Sequence, residues 1–228
     1  MKDSLYKRHF IMEDIFMSIC IFCPKHRFQN NFKVGFSLSE SLIYEDEYIF
    51  VTPDLAPLVS GHLLIVSQKH YNSFSSAPIE VKKALKNAMQ YIYERLGYQD
   101  ITWFEHGAVF PGKGGASIDH AHLHVLLYNF PVQKAVESDN KYFQKVEFSL
   151  EIFNSLANKQ PYLWIGNSLD SSNIYFVNCL PSQYLRNIIM QLQGSNAYNW
   201  KNNFMGEESK EKYRETLKKF LREENQNE

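Results

Sequence analysis

The sequence predicts an α+β fold in which helices pack against a mostly antiparallel sheet. Two observations indicate it: short β-prone runs bounded by turn residues, and helical stripes placed between and after these runs. The 228 residues are 44% hydrophobic and 15% aromatic, which excludes wholesale disorder. Because a domain usually holds about 100–200 residues, we expect one large domain or a smaller one with an extension.

The first half of the chain begins with strands and continues with a helix. Residues 42–44 and 48–51 are β-prone runs separated by three acidic residues, which predicts a hairpin, and a third strand is predicted over residues 62–67. Between residues 78 and 96 apolar side chains recur at helical spacing, and Gly97 follows as a stop signal.

A glycine-rich loop separates the next two predicted strands. The strands cover residues 101–104 and 120–128, and the loop covers residues 110–115. This order continues the predicted sheet beyond the helix.

The second half repeats strands and helices. Residues 162–165 and 174–177 are predicted strands, and a helical stripe from Leu185 to Leu192 ends before Gly194. A last helix is predicted from the apolar spacing of four residues: Tyr213, Leu217, Phe220 and Leu221.

Charge and cysteine content narrow the class of protein. The formal net charge is −1, which argues against a polyanion partner held by a basic surface, so we expect no strong interaction with nucleic acid. Three cysteines are too few for a secreted disulfide framework and favour reduced thiols or a metal site. We find neither a signal-peptide run nor an 18-residue apolar segment, so we expect no membrane span and a cytoplasmic protein.

The most informative stretch contains three alternating histidines, His120, His122 and His124. Because successive side chains of a strand point to opposite faces, all three are expected on one face, roughly 6–7 Å apart. Three chemistries could use this face: a catalytic zinc bound by all three histidines, a nucleophilic histidine with phosphate-binding neighbours, or a structural metal site completed from elsewhere. A polar strand face with incidental histidines is the weaker interpretation.

Cys20 and Cys23 form a C-x-x-C pair in a predicted loop. The pair could be half of a zinc site, a redox pair or a chance spacing. Two thiolates and two imidazoles would complete a tetrahedral zinc site, and His120, His62 and His70 are candidates for the imidazoles. If His120 is a ligand, His122 stays free for chemistry.

The run from His120 to Leu126 resembles the signature of the histidine triad (HIT) nucleotide hydrolases and transferases. The resemblance covers roughly residues 20–130. It also includes the C-x-x-C pair and, in the usual order and spacing, residues 44–47, Asp54, residues 61–66 and the pair Lys69-His70. It implies an N-terminal extension over 1–17, a HIT-like nucleotide-binding catalytic domain over 18–130 and an α+β extension over 131–228.

The resemblance implies a role for each matching residue. His122 would be the nucleophile that attacks an α-phosphorus, and Asp54 would accept hydrogen bonds from ribose hydroxyls. The remaining roles are phosphate contacts by Ser117, His124 and the backbone near Gly115, and structural zinc bound by Cys20, Cys23, His70 and His120. A neutral imidazole, with an ordinary pKa of about 6.5, is available at neutral pH for such an attack.

Two positions depart from the family pattern, and two later segments add a weaker resemblance. Ala116 stands where many members have Gln, and Glu105 stands where an Asn commonly helps to hold phosphate. We therefore expect Glu105 or His106 to address the leaving group or a water. Further on, residues 181–186 and 199–201 weakly resemble the segment that follows the HIT-like domain in CwfJ-type proteins, where Arg186 could reach a substrate phosphate.

The resemblance implies hydrolysis or nucleotidyl transfer at the α-phosphate of a purine nucleotide conjugate: a dinucleoside polyphosphate, a phosphoramidate or an acyl-nucleotide. His124 favours the hydrolases, because hexose-1-phosphate uridylyltransferases typically have Gln there. The expected partner is a small nucleotide substrate, and the chain is expected to be a monomer or a homodimer. Two alternatives remain: a metal-dependent phosphohydrolase using all three strand histidines, and a catalytically idle nucleotide- or RNA-binding protein.

Overall fold

The computed structural model describes residues 20–24, 38–97, 101–109, 117–155, 159–168, 171–204 and 206–221. Within these ranges, eight strands form one sheet: β1 Tyr44–Glu45, β2 Ile49–Pro53, β3 His62–Ser67, β4 Thr102–Gly107, β5 His122–Leu126, β6 Gln144–Glu147, β7 Tyr162–Gly166 and β8 Ser172–Phe176. The helices are α1 Leu38–Ser41, α2 Ile79–Leu96, α3 Val132–Asp139, α4 Leu150–Ser155, α5 Tyr184–Leu192, α6 Trp200–Asn203 and α7 Glu207–Leu221, with a 3-10 turn at Phe74–Ser76.

The sheet has the order β1-β2-β3-β5-β4-β7-β8-β6, and all of its neighbouring strands are antiparallel. This arrangement confirms the predicted α+β class. Strands β1 to β5 come from the first half of the chain, and β7 joins their sheet by pairing with β4. One sheet therefore runs through both the predicted catalytic domain and the predicted extension.

The two faces of the sheet bury different side chains because strand residues alternate. Leu123 and Val125 of β5 pack with Trp103 and the buried stripe of α2 in the larger core. On the other face, Phe104 and Leu126 pack against residues of α3 and α5. His122 and His124 have the same parity as Leu126, so α5 covers the face that carries them.

Several boundaries differ from the sequence-based expectation. Strand β4 continues to Gly107 instead of ending at Phe104, and β5 starts at His122, so His120 precedes the strand. Elements α3, β6 and α4 were not predicted, and the polar edge strand β6 buries none of its residues. None of the helices among the described residues is long and apolar enough to cross a membrane.

Candidate active site

The three signature histidines separate into two groups. His122 and His124 lie side by side on one face of β5, with ring centroids 4.9 Å apart. His120 lies before the strand, is 1% exposed, and its ring packs edge-on against His70 at 4.9 Å. One histidine is thus directed to the cysteine pair, while two remain on the face covered by α5.

Cys20, Cys23, His70 and His120 form a cluster whose four possible ligand atoms all lie within 4.8 Å of one another. The His120 Nδ1 atom is 3.4 Å from Cys20 Sγ and 3.7 Å from Cys23 Sγ, and His70 Nδ1 is 3.4 Å from Cys23 Sγ. Tetrahedral zinc, with Zn–S of about 2.3 Å and Zn–N of about 2.0 Å, requires S···N separations of about 3.5 Å. These three separations therefore suit a bound metal ion.

The surroundings of the cluster also suit a metal. His120 Nε2 lies 2.7 Å from the Ser67 carbonyl oxygen and donates to it, which leaves Nδ1 without a proton and directed at the sulfurs. Burial and the neighbouring Cys20 raise the pKa of Cys23 to about 12. This thiol stays neutral unless a cation lies beside it.

The His122 ring is held in one tautomer. Its Nδ1 atom donates to the carbonyl oxygen of His120 at 2.6 Å, so the ring proton is on Nδ1 and Nε2 keeps its lone pair. Burial lowers the pKa of His122, although the His120 carbonyl and Asp54 oppose that shift. A neutral imidazole with an unprotonated Nε2 is the form that can attack phosphorus.

The tautomer of His124 is set by a relay of two hydrogen bonds that starts at the backbone. The Leu58 N–H donates to His62 Nδ1 at 3.1 Å, so His62 carries its proton on Nε2. That proton is donated to His124 Nδ1 at 2.9 Å, which leaves the His124 proton on Nε2. Burial lowers the pKa of His62 to about 3 and that of His124 well below its ordinary value, so both rings are neutral.

The sequence did not identify His62 as part of this relay. His62 on β3 pairs with Leu126, and Leu64 pairs with His124, so His62 is a diagonal neighbour of His124 on the same face. The alternation of β3 could have suggested that face, but the register that brings the two rings together depends on the pairing of strands far apart in sequence.

Asp54 and Arg186 form a buried ion pair. Arg186 Nη1 donates to Asp54 Oδ2 at 2.7 Å and Nη2 donates to the Ala56 carbonyl oxygen at 2.6 Å, while the Ala56 N–H donates to Asp54 Oδ1. Burial alone would raise the pKa of Asp54, but His62 and Arg186 hold it below its ordinary value. Because His62 is neutral near pH 7, the guanidinium is the cation that acts there.

A cleft lies between the histidine face and the second half of the chain. Its lining includes His106, His122 and His124 from the strands, and Gln183, Trp200 and Phe204 from the second half of the chain. The structure brings Asp54, Ser117 and Arg186 to the same cleft. These nine residues come from parts of the sequence that no single motif joins.

Residues 37–129 match the family model of the HIT domain. This chain contains a HIT domain. An uncharacterized HIT-like protein of Methanocaldococcus jannaschii is 24% identical over 112 residues, which are 47% of this chain and 78% of that protein. Another, from Borreliella burgdorferi, is 25% identical over 114 residues, 47% of this chain and 73% of that protein. A solved histidine triad protein from Clostridium difficile is 25% identical, with a TM-score of 0.34, covering 47% of this chain and 88% of that one.

The match to the HIT domain leaves part of the candidate site outside it. Residues 37–129 include the histidine strand, His70 and Asp54, but neither Cys20 and Cys23 nor Arg186. The second half of the chain thus adds a wall to the cleft of the HIT domain. Ser117 Oγ lies 2.7 Å from Ser182 Oγ, which ties the residue preceding the histidine strand to that wall.

Glu105 of the HIT domain does not lie where a substrate contact would require it. Its carboxylate is on the opposite face of β4, where Oε1 accepts from the Phe74 N–H at 2.7 Å and Oε2 accepts from the Tyr162 hydroxyl at 2.6 Å. The predicted substrate-binding role of Glu105 is therefore wrong, because strand alternation directs this side chain into the core. His106, its neighbour, does face the cleft, and its Nε2 accepts from the Leu185 N–H at 3.3 Å.

The predicted phosphate contact at Gly115 lies outside the described residues, as do the neighbouring glycines and Ala116. The predicted N-terminal extension, residues 1–17, lies outside them as well.

Glu105 is expected to make stability depend on pH. Burial raises its pKa from 4.5 to about 7, although Tyr162, Phe74 and Lys82 oppose the shift. Between these values the folded chain holds a proton that the unfolded chain has lost, so stability falls as pH rises from about 4.5 to 7. In Glu105→Gln this contribution disappears. The free energy of unfolding of the variant, relative to that of wild type, should therefore be about 3 kcal/mol higher at pH 7.5 than at pH 4.

Urea unfolding across this pH range measures the effect. Glu151→Gln, which changes an exposed carboxylate in the same way, is the control and should leave the pH profile of wild type unchanged. A Glu105→Gln profile parallel to that of wild type would contradict the assigned pKa.

Proposed function

We propose that this HIT domain catalyses hydrolysis or nucleotidyl transfer at the α-phosphorus of a purine nucleotide conjugate. The observation that carries the proposal is the state of His122: its Nδ1 proton is held by a backbone carbonyl, its ring is neutral and its Nε2 is unprotonated. The substrate classes considered are dinucleoside polyphosphates, phosphoramidates and acyl-nucleotides.

The proposed reaction has two displacements at phosphorus. A bond forms between His122 Nε2 and the α-phosphorus while the bond to the leaving group breaks, and the electron pair departs with that group. Water, or an acceptor hydroxyl in a transfer reaction, then attacks phosphorus. A P–O bond forms, the P–N bond to His122 breaks with its electron pair returning to Nε2, and the proton of the attacking group passes to solvent. One difficult displacement is thereby replaced by two easier ones.

Neighbouring residues would hold the phosphate during these steps. The proton of His124 is on Nε2 because of the relay from Leu58 through His62, so this nitrogen can donate to a phosphate oxygen. Ser117 lines the same cleft and offers a hydroxyl. Both donors are neutral and preorganised, and such groups stabilise the charge that develops in the transition state.

Asp54 and Arg186 would act as a pair rather than separately. Each predicted contact, Asp54 with ribose and Arg186 with phosphate, now competes with the hydrogen bond between them. We propose that the hydrogen bond between Asp54 and Arg186 stays intact when substrate binds, and that the side of the pair facing the cleft positions the ribose and the phosphate.

We propose that the metal held by Cys20, Cys23, His70 and His120 is zinc with a structural role. When bound, zinc would supply a closed tetrahedral anchor rather than an open coordination position. His120 would then be fixed by the metal and by Ser67, and its carbonyl oxygen in turn fixes His122.

Metal removal tests this role through stability as well as activity. Cys23→Ser removes a buried ligand, and we expect zinc content to fall to near zero and the free energy of unfolding to drop by about 3 kcal/mol or more. Cys179→Ser is the matched control because Cys179 is exposed and outside the cluster. Full zinc content and unchanged stability in Cys23→Ser would contradict the assignment.

A binding protein without catalysis is the second candidate. The buried Asp54–Arg186 pair favours it, because both groups are already satisfied by each other.

A metal-dependent phosphohydrolase, with a metal held by all three strand histidines, is not favoured. His120 is directed to the cysteines and not to His122. Incubation with a fluorescent AMP phosphoramidate separates the candidates: turnover that His122→Asn abolishes supports the enzyme, whereas binding without turnover supports the binding protein.

We propose that the chain is a monomer. The strand β4 has β5 on one side and β7 on the other, so the second half of the chain occupies the edge through which the HIT sheet would otherwise be extended. Light scattering should give the mass of one 26.8 kDa chain. A dimer that forms through β4 would contradict the proposal.

A further inference from the structure

A cavity of about 300 Å³ lies on the face of the sheet opposite the histidines. It is lined by residues of α2, of the strands β4, β5, β7 and β8, and of the segment 148–153. Leu123 is one of them; it lies between His122 and His124 in β5, so strand alternation directs it away from the cleft. Small-molecule sites usually measure about 300–1,000 Å³, so this cavity can hold a small ligand. The proposed reaction makes no use of it.

The interior of the cavity is aromatic and apolar. The Trp164 ring stacks on Phe148 and meets Trp103 edge-on, each time with ring centroids 4.8 Å apart. Both indole N–H groups already have acceptors. Trp103 donates to the carbonyl oxygen of Ser168 at 3.3 Å, and Trp164 donates to the hydroxyl of Ser172 at 3.1 Å. These rings therefore offer a ligand apolar surface rather than hydrogen bonds.

Three lysines of α2, Lys82, Lys83 and Lys86, also line the cavity, and none of its other described lining residues is charged. Lys82 is half-buried; its Nζ donates to the Ser75 carbonyl oxygen at 2.8 Å, and Glu105 opposes the lowering of its pKa by burial. Lys83 and Lys86 are exposed, and their ammonium groups have no ion-pair or hydrogen-bond partner within the described part of the chain. Because like charges three and four residues apart destabilise a helix, an anion beside these lysines would be stabilising.

The mouth of the cavity also exposes apolar surface. Ile79 is 38% exposed and Leu150 is 46% exposed, and both residues line the cavity. A carboxylate would lose its hydration among the aromatic rings, whereas at the mouth it stays in water beside the ammonium groups. The distribution of apolar and basic groups therefore suits a ligand with an apolar body and an anionic end.

We propose that this cavity binds a medium-chain fatty acid, with its alkyl chain against the aromatic rings and its carboxylate beside Lys83 and Lys86. A nucleotide is not favoured, because its base and ribose would bring polar groups against rings whose N–H donors are already used. The inference does not depend on the proposed function, since the reacting histidines lie on the other face of the sheet.

Tryptophan fluorescence can locate the ligand. The chain has three tryptophans, and in Trp200→Phe the two that remain, Trp103 and Trp164, both line the cavity. At pH 7.5, 10-bromodecanoate, whose bromine quenches an indole that it touches, should quench wild type and Trp200→Phe saturably, with Kd values that agree within about twofold. Butanoate should bind more than about 100-fold more weakly than decanoate, since each buried CH₂ contributes about threefold. AMP should not displace the bromodecanoate.

The double variant Lys83→Gln/Lys86→Gln tests the role of charge. We expect decanoate to bind it about tenfold more weakly, and uncharged decanol to change by less than about twofold. Lys134→Gln/Lys218→Gln, which removes the same charge at two exposed lysines that do not line the cavity, is the matched control and should bind both ligands like wild type.

Three results would overturn the inference. They are the absence of saturable quenching in both wild type and Trp200→Phe, displacement of bromodecanoate by AMP, and equal effects of the two double variants on decanoate. Binding to phosphatidylglycerol vesicles without binding of decanoate would also overturn it, because the lysines would then form a membrane contact.

Discussion

His122→Asn is expected to lower kcat by roughly 10³-fold or more with any substrate that wild type turns over. The amide of Asn can still donate to the His120 carbonyl, so the fold and the metal cluster should persist. No atom of Asn can replace Nε2 as a nucleophile toward phosphorus. We therefore expect the KM, or the Kd of AMP, to stay within about threefold of wild type while turnover is lost.

His106→Asn is the matched control for that variant. His106 is a buried histidine of the same cleft, but its Nε2 accepts a hydrogen bond from Leu185 and it is not proposed to react. Its replacement should reduce kcat by less than about tenfold. Steady-state kinetics of the two variants should be measured side by side. An equal loss of activity in both would contradict the account.

Arg186→Ala is expected to destabilise the protein by about 3–5 kcal/mol, because it leaves the Asp54 carboxylate buried without a cation. Arg186 is 4% exposed and also donates to the carbonyl oxygens of Ala56 and Tyr198, so its loss removes two contacts between the two halves of the chain and one within the second half. Urea unfolding at pH 7 measures the loss, and Arg214→Ala, at an exposed arginine, should stay within about 0.5 kcal/mol of wild type.

The pH dependence and a double variant test the cause of that loss. The pKa of Asp54 is lowered in the fold, so the stability provided by the pair is present above the ordinary pKa of Asp and is lost as pH falls through the lowered value. Adding Asp54→Asn to Arg186→Ala removes the uncompensated charge and should recover part of the stability. An Arg186→Ala protein as stable as wild type would show that the two halves are not joined by this pair.

The sequence predicted the parts of the site that depend on local pattern. The alternation of His122 and His124 places both rings on one face whatever the rest of the chain does. The spacing of Cys20 and Cys23, together with the family resemblance, was enough to predict the four residues of the cluster that the structure brings together.

Contacts between distant residues were beyond such reasoning. Asp54 and Arg186 are 132 positions apart, and their pairing depends on how α5 packs over the histidine face. The predicted strand ended at Phe104, so the sequence assigned Glu105 to no face, whereas the longer strand β4 places it in the core. The helices α3 and α4 are short, and the polar strand β6 lies at the edge of the sheet, where burial imposes no alternating pattern.

The measurement that tests the central claim most directly is the intact mass of the protein after rapid quenching in alkaline denaturant during turnover, followed by peptide mapping at alkaline pH, because the P–N bond of a nucleotidyl-histidine hydrolyses in acid. We predict a covalent nucleotidyl adduct on Nε2 of His122, formed by wild type and absent from His122→Asn. An adduct on another residue, or rapid turnover during which His122 stays unmodified at every quench time, would contradict the account.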